Sequence, residues 1–324
     1  MKNKFQVVSI YLSLAFFQFI LILIFSFTYK EEYPTIPQTQ KLFNECRYCV
    51  APPELLSELN FSGEPVPLDD YEVRERLERE ILENSFRHAK TLLIMKRAGR
   101  VFPIIEPILK EEGVPDDFKY LSVIESDLAN VVSPAGAAGI WQFMKSAALE
   151  YGLEISEEVD ERYHLEKATR AACRYLKTAL KRFGTWTNAA ASYNMGMMGF
   201  ELKLKEQKQN SYYDLYLNQE TSRYVFRILA MKYIMKFPSY FNFNIQENML
   251  FPSIPVKKLT VNHEVASWID FAIQNGINYK ILIDANPWIK KTYLKNVKRL
   301  NYIVLIPQPF NYQEAQKKTQ GILN

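Results

Sequence analysis

The chain has 324 residues, enough for about two domains of ordinary size. Hydrophobic residues make up 48% of it and charged residues 23%, values that exclude a wholly disordered protein. Its net charge of +4 is too small to favour a nucleic acid as partner. The three His and three Cys residues form no repeated pattern, which argues against a zinc module or a disulfide scaffold. We expect no metal or other cofactor.

The N-terminus has the pattern of a membrane anchor. Lys2 and Lys4 precede an uncharged run at residues 5–29, which as a helix would be about 37 Å long, enough to cross a hydrocarbon core of ~30 Å. The positive-inside rule places residues 1–4 in the cytoplasm and the rest of the chain outside, in the periplasm of a bacterium with two membranes. A single-pass protein of the inner membrane is therefore predicted. The alternative is secretion to the periplasm after cleavage of a signal peptide.

The anchor is followed by a segment rich in proline. Residues 30–68 hold six of the 16 prolines, and this composition predicts an extended linker. Cys46 and Cys49 have the spacing of a redox motif, but they lie in this linker and not at a strand-to-helix junction. A local disulfide or two unpaired thiols is therefore a better interpretation than a redox site.

Residues 69–237 have the pattern of one helical domain. Helices are predicted at residues 73–96, 102–111, 117–125, 166–183, 186–193 and 221–236. Pro103 suits the first turn of the second helix, whose end is followed by Gly113, and Gly184 follows the end of the fourth. The predicted fold class is mainly α.

The pattern changes after this domain. Residues 238–255 are predicted as a second linker, and residues 308–324 as a tail. The segment between them is expected to contain strands and helices in the order strand, helix, helix, strand, at residues 256–261, 265–275, 279–284 and 302–306. Residues 256–307 are therefore predicted to form a small, separate α+β module.

One carboxylate in the helical domain has an unusual environment. Glu125 shares a helical face with Leu121 and Phe118, and the rest of that helix is also apolar, so the helix is predicted to be buried. A carboxyl group at the end of a buried helix is desolvated, which raises its pKa towards neutral pH. Glu125 is therefore the candidate acid–base residue.

Two later segments combine polar groups with small residues. Residues 133–144 begin with a run rich in Gly and Ala, which lets a ligand approach the backbone closely. Gln142 can both donate and accept hydrogen bonds, as the amide or hydroxyl groups of a sugar require, whereas Trp141 suits the core. Further on, Tyr193 and Asn194 end a helix with two polar groups.

Together these motifs resemble those of the lytic transglycosylases of the soluble-lysozyme-like superfamily, in particular the membrane-bound D type. The matching segments are residues 125–126, 133–144, 151–153, 159–162, 191–196 and 220–225. The resemblance covers roughly residues 100–236, and it implies a lysozyme-like helical catalytic domain. Lys145 stands where many members have Pro and Ser192 where they have Ala, but neither change affects the implied chemistry.

The resemblance also implies roles for single residues. Glu125 would be the sole catalytic acid and base. The residues implied to bind substrate are Ser126, Ser133, Gln142, Met144, Tyr193, Asn194 and Glu220. The module of residues 256–307 resembles a degenerate LysM repeat, a fold that binds chains of N-acetylglucosamine. A small domain without affinity for sugar is the alternative for this module.

The implied activity is cleavage of the β-1,4 bond between N-acetylmuramic acid and N-acetylglucosamine in peptidoglycan, without water, to give 1,6-anhydromuramyl products. A hydrolytic muramidase is an alternative, but it needs a second carboxylate. Asp160, Glu161 and Glu220 are candidates; Asp127 is not, because residues two apart do not share a helical face. A non-catalytic peptidoglycan-binding protein is the other alternative. The expected partners are glycan strands, the cell membrane through the N-terminal helix, and proteins of cell-wall synthesis or division.

Overall fold

The computed structural model describes residue 55 and residues 58–314, in which helices predominate. The helices are α1 (Tyr71–Phe86), α2 (His88–Glu112), α3 (Lys119–Ser126), α4 (Lys145–Glu150), α5 (Leu165–Phe183), α6 (Trp186–Met195), α7 (Met197–Gln207), α8 (Gln219–Lys236), α9 (Trp268–Gln274) and α10 (Tyr279–Ala285). The strands are β1 (Asn60–Phe61), β2 (Glu64–Pro65), β3 (Val256–Val261) and β4 (Tyr302–Pro307). The predicted mainly α fold with a small α+β module is confirmed.

Several predictions fall outside the described residues. The cytoplasmic segment 1–4, the membrane anchor at 5–29 and the pair Cys46 and Cys49 all lie there. Of the helices within residues 58–314, none combines the length and the apolar composition that crossing a membrane requires.

The last part of the predicted proline-rich linker is folded onto the helical domain. β1 and β2 pair as an antiparallel hairpin, and Phe61 is fully buried in the main core. The Glu64 carboxylate accepts hydrogen bonds from the backbone N–H groups of Trp186 and Thr187, at the N-terminus of α6. The folded domain thus begins before the predicted boundary at residue 69. Proline content was misleading here because a short hairpin with a free edge accommodates Pro65.

The Glu64 contact predicts a measurable loss of stability. Glu64→Ala removes charge-assisted hydrogen bonds at a helix N-terminus, so it should lower the free energy of unfolding by about 1–3 kcal/mol. Urea unfolding at neutral pH measures this change. Glu157→Ala, at an exposed carboxylate, is the matched control and should have little effect. Equal effects at the two positions would show that the hydrogen bonds of Glu64 do not stabilise the fold.

The break between the first two helices lies at a different residue from the one predicted. α1 ends at residue 86 and α2 continues from residue 88 to 112, with Pro103 and Pro107 inside it. Across the junction, the Thr91 hydroxyl donates a hydrogen bond to the carbonyl of Asn84. The predicted helix start at Phe102 was wrong because one face of α2 is buried on both sides of the prolines, which outweighs the backbone hydrogen bonds that they remove.

The other predicted helices agree with the structure to within a few residues. Gly113 and Gly184 follow α2 and α5 with positive φ, as predicted. α4 and α7 were not predicted. α4 has only six residues, and α7 begins one residue after Gly196 and contains Gly199, so neither carries a long apolar repeat.

The second predicted linker, residues 238–255, packs against the helical domain. Phe241 and Phe243 are buried in the main core. The backbone N–H of Phe251 donates a hydrogen bond of 2.8 Å to the carbonyl of Lys96 in α2. This segment therefore follows the surface of α2 and is not a free linker.

The C-terminal module has its own core. β3 pairs with β4 in antiparallel register along both strands, with Val261 opposite Tyr302. α10 packs on β4 and α9 packs on α10, and Trp268 and Leu282 are fully buried. The predicted order of strand, helix, helix and strand is confirmed.

Candidate active site

Glu125 is the penultimate residue of α3, a short helix that is almost completely buried. The five residues before it are all buried, as the sequence predicts, whereas the Glu125 side chain is partly exposed. α3 is followed by Asp127, which caps the helix with a φ of 52° and donates its backbone N–H to the carbonyl of Val123 at 2.8 Å. The C-terminal end of α3 therefore carries Glu125 to a place where its carboxyl group is desolvated but still accessible.

The environment of Glu125 brings its pKa close to neutral pH. Burial raises the pKa of Glu125 to about 7. A hydrogen bond from the Tyr224 hydroxyl to Glu125 Oε1 and the positive charge of Arg227 both oppose this rise, whereas the negative charge of Glu220 adds to it. At neutral pH both protonation states of Glu125 are populated, so a single carboxyl group can donate a proton and later accept one.

Tyr224 and Arg227 were not among the predicted site residues. Both lie on α8, and together with Glu220 they occupy positions i, i+4 and i+7, which share one helical face. Arg227 Nη2 also donates a hydrogen bond of 3.3 Å to the carbonyl of Ile124, the residue before Glu125. Their helical spacing can be read from the sequence, but Arg227 lies outside the matching segment 220–225, and spacing alone does not distinguish Tyr224 from a core residue.

Asn194 and Glu220 meet beside this helix, as predicted for one site. Asn194 Nδ2 donates a hydrogen bond of 3.0 Å to Glu220 Oε1, and Asn194 Oδ1 accepts one of 2.8 Å from the Thr221 hydroxyl. The amide of Asn194 thus joins the end of α6 to the start of α8. Its main effect in the free protein is to hold Glu220.

Tyr193 approaches the site from α6. Its hydroxyl donates a hydrogen bond of 2.8 Å to the carbonyl of Trp141. Its ring centre lies 6.0 Å from that of Phe143 and 5.0 Å from that of Tyr175. Burial, together with the negative charge of Glu125, raises the pKa of Tyr193 well above its ordinary value. The phenol is therefore neutral at physiological pH and lies within electrostatic range of Glu125.

The segment between α3 and α4 is shaped by its own polar side chains. We call residues 131–143 the cleft loop. The side-chain amide of Gln142 donates to the carbonyls of Val131 at 3.0 Å and Gly139 at 2.7 Å. Ser133 Oγ accepts a hydrogen bond of 3.0 Å from the backbone N–H four residues on. The donors of Gln142 are therefore engaged within the loop, which leaves its carbonyl oxygen and the Ser133 hydroxyl proton for a ligand.

Three further residues of these motifs differ in exposure. Ser126 is buried, and its hydroxyl donates a hydrogen bond of 2.8 Å to the carbonyl of Ile140. This bond joins the cleft loop to α3. A buried, engaged hydroxyl does not fit the predicted contact with substrate. Trp141 is fully buried, which confirms its predicted place in the core, and its indole N–H donates to Thr169 Oγ1 at 2.9 Å. Met144, which directly follows the cleft loop, is 46% exposed.

Two of the candidates for a second carboxylate are bound to basic side chains. Both carboxylate oxygens of Asp160 accept hydrogen bonds from Arg162, and Glu161 forms an ion pair with Lys167. Glu220 is the remaining candidate for the second carboxylate. Among the residues that the structure describes, it is the carboxylate whose negative charge raises the pKa of Glu125.

A cavity of about 330 Å³ lies beside Glu220 and Arg227. Its wall includes Ile124, Glu220 and Arg227, and eight of its lining side chains are charged, four of each sign. The space next to the neighbours of Glu125 therefore suits a polar ligand.

Substitutions of Tyr224 and Glu220 are predicted to change the pH dependence of activity in opposite directions. Activity that needs protonated Glu125 falls as the pH rises through its pKa of about 7. Tyr224→Phe removes a hydrogen bond to the carboxylate, so the pKa should rise and the alkaline limb of kcat/KM should move to higher pH. Glu220→Gln removes a negative charge, so the limb should move to lower pH. Loss of the Tyr224 hydrogen bond should also lower kcat/KM at the optimum about tenfold.

Profiles of kcat/KM against pH for the native chain and the two variants check this assignment. Shifts in the same direction for both variants would contradict the electrostatic role given to these residues.

Comparison with known proteins defines the class of both folded parts. The Transglycosylase SLT domain family matches residues 102–216, a range that includes Glu125, the cleft loop and Tyr193. The Soluble lytic transglycosylase C-terminal LysM-like domain matches residues 257–309. The chain therefore carries a lysozyme-like transglycosylase SLT domain followed by a LysM-like domain, and the predicted family resemblance is confirmed.

Two similar proteins are enzymes of this class that carry the same name. Membrane-bound lytic murein transglycosylase D of Escherichia coli (strain K12) is 30% identical over 177 residues, which are 53% of this chain and 38% of that protein. The protein of the same name from Escherichia coli O6:H1 (strain CFT073) matches with the same identity and coverage. The chain is homologous to these transglycosylases and spans about two fifths of their length.

Proposed function

We propose that this protein is a peptidoglycan lytic transglycosylase, which cleaves the β-1,4 bond between N-acetylmuramic acid and N-acetylglucosamine and leaves a 1,6-anhydromuramyl end. The observation that carries the proposal is the Glu125 carboxyl group, which has a pKa of about 7, accepts a hydrogen bond from Tyr224 and lies in the SLT domain. Membership of the SLT domain family and homology to lytic murein transglycosylase D support the same activity.

In the proposed reaction Glu125 performs both proton transfers. Its protonated form donates a proton to the glycosidic oxygen as the bond to C1 of the muramyl residue breaks. The resulting carboxylate takes the proton from the C6 hydroxyl, whose oxygen then bonds to C1 and closes the anhydro ring. The substrate acetamide stabilises the developing positive charge at C1. Glu125 ends in its starting state, and no water is consumed.

The neighbouring groups fit these two steps. The Tyr224 hydroxyl and the Arg227 charge stabilise the carboxylate that forms after the first proton transfer. Substrate-binding roles are proposed for Tyr193 and for three groups of the cleft loop and its end: the Ser133 hydroxyl, the Gln142 carbonyl oxygen and the Met144 side chain. For Asn194 and Glu220 we propose contacts with the same sugar from the opposite wall, and for Ser126 a positioning role.

A hydrolytic muramidase is the second candidate, and Glu220 is the observation that favours it. Its carboxylate influences the pKa of Glu125, and it is held by an amide and not by a basic side chain. In a hydrolase it would activate water or stabilise the sugar cation.

The proposed site of action is the periplasm. Residues 5–29 are proposed to anchor the chain in the inner membrane by a single pass, with cleavage of this segment as the alternative, and the homologue is named as membrane-bound. The proposed ligand of both domains is the glycan strand, and proteins of cell-wall synthesis or division are proposed partners.

An assay of reducing ends separates the two enzymatic candidates. Purified sacculi are incubated with the protein, and soluble fragments and reducing muramic acid ends are both counted. A lytic transglycosylase releases fragments without creating reducing muramyl ends, whereas one reducing end for each cleavage would identify a hydrolase. No release of fragments would favour a non-catalytic, peptidoglycan-binding role.

A further inference from the structure

The LysM-like module shares its core with a segment of the helical domain. Val159, which precedes α5 by six residues, is 1% exposed and belongs to the apolar cluster of the module. Its neighbour Asp160 donates its backbone N–H to the carbonyl of Trp288 at 2.9 Å. On the other side, the N–H of Lys290 donates to the carbonyl of Glu158 at 2.9 Å. The segment thus pairs with the module as an added piece of strand.

Side chains extend this contact. The Tyr302 hydroxyl of β4 donates a hydrogen bond of 2.9 Å to Glu154 Oε2. The backbone N–H of Lys295 donates one of 2.8 Å to Glu158 Oε2. An ion pair of 2.9 Å joins Lys258 of β3 to Glu166 of α5. The module is therefore docked on the SLT domain by apolar, backbone and side-chain contacts together.

Residues 158–162, which contact the module, also contact the cleft loop through Arg162. Arg162 Nη1 donates hydrogen bonds to the carbonyls of Gly136 at 2.9 Å and Phe143 at 3.2 Å. Its Nε and Nη2 donate to the two carboxylate oxygens of Asp160 at 3.0 and 2.7 Å. The backbone of Arg162 lies so close to Gly139 that a Cβ on that glycine would overlap with the Arg162 carbonyl.

The cleft loop is in turn joined to the catalytic helix. The Ser126 hydroxyl, one residue after Glu125, donates to the carbonyl of Ile140 in the loop. Four consecutive contacts thus lead from the module to the site: Trp288 to Asp160, Asp160 to Arg162, Arg162 to the loop, and the loop to α3.

We propose that Arg162 is a positioning residue that couples the docked LysM-like module to the cleft loop, so that the module is part of the catalytic unit and sets the conformation of the loop that receives the glycan. Guanidinium suits this role because its planar fork can hold a carboxylate with one edge and backbone carbonyls with the remaining N–H groups, which an ammonium group cannot do.

Hydrogen exchange of the full chain tests the coupling directly. Arg162→Met should speed amide exchange in residues 131–143 about tenfold, the factor that one hydrogen bond to a charged group commonly contributes. Val159→Ala, which loosens docking without touching the loop, should also speed exchange there. Arg182→Met is the matched control, because Arg182 pairs with Glu201 on the surface.

Kinetics provide a second readout, which rests on the proposed function. Arg162→Met should raise KM for glycan about tenfold with a smaller change in kcat, and should leave the pH midpoint of kcat/KM unchanged, because the contacts of Glu125 are intact. Arg162→Lys keeps the charge and should not restore the native KM. The exchange readout does not require activity, so an inactive protein would overturn the proposed function alone.

Two results would overturn the coupling. One is native exchange in the cleft loop of Val159→Ala while exchange within residues 256–307 rises. The other is native exchange and KM in Arg162→Lys, which would show that any positive charge suffices. If Arg162→Met does not fold, the Val159→Ala and Arg162→Lys chains decide the question.

Discussion

Glu125→Gln should lower kcat for glycan cleavage by at least about a thousandfold, because one side chain performs both proton transfers. Gln has nearly the same shape and can still accept the hydrogen bond from Tyr224, so glycan binding should change little. Steady-state release of fragments from sacculi measures kcat, and co-sedimentation with sacculi measures binding. Asp127→Asn, at the end of the same helix, is the matched control and should keep most of the activity. Turnover of Glu125→Gln at a tenth of the native rate would contradict the assignment.

The same substitution should stabilise the fold above neutral pH. The folded state raises the pKa of Glu125 from 4.5 to about 7, so it binds the proton more tightly than the unfolded state and the native chain loses stability as the pH rises through this window. Gln cannot ionise and avoids this loss. At pH 8 Glu125→Gln should therefore be more stable than the native chain by up to about 3 kcal/mol, and at pH 4 by almost nothing. Urea unfolding at both pH values checks this, and a destabilised variant at pH 8 would contradict the desolvation of Glu125.

Gly139→Ala should have the second large effect, on stability and activity together. Gly139 has a φ of 79°, and an added Cβ would overlap with the Arg162 carbonyl. Backbone strain and overpacking together should lower the free energy of unfolding by about 2–5 kcal/mol. Because the cleft loop must move away from Arg162, glycan cleavage should also fall at least tenfold.

Gly136→Ala is the matched control for this prediction. Gly136 lies in the same loop with a φ of 87°, but nothing lies within 4 Å of its added Cβ. Only backbone strain should act there, at about 1–2 kcal/mol. Thermal unfolding and fragment release for both variants separate the two causes. Equal losses would show that the contact between Gly139 and Arg162 does not shape the loop.

The sequence predicted the fold class because the helices carry long apolar stripes and the module has strands rich in branched residues. It misplaced the break between α1 and α2, since local proline rules favoured a helix start at Phe102, while the buried face of α2 continues past Pro103. The hairpin at Phe61 was hidden by proline content. In each case a long-range contact outweighed the local preference.

The proximity of several candidate residues was predicted as far as motif order allows. Glu125, Tyr193, Asn194 and Glu220 are brought together, since each motif lies at a helix end in the same domain. The partner of Glu125 was missed, because Tyr224 looks like an ordinary buried aromatic residue until the chain is folded.

Other roles depended on contacts that residue type does not reveal. The amide of Gln142 donates to carbonyls within the cleft loop. The docking of Val159 in the module likewise has no signature in the sequence. Such pairings depend on the folded path of the backbone, and residue type alone cannot specify them.

Mass spectrometry of muropeptides released from purified sacculi in heavy-oxygen water tests the central claim most directly. Closure of the C6 oxygen onto C1 predicts muramyl ends that are one water lighter than hydrolytic products and contain no oxygen from the solvent, with no such products from Glu125→Gln. Reducing muramyl ends that carry one solvent oxygen would contradict the account and would assign Glu125 to a hydrolase.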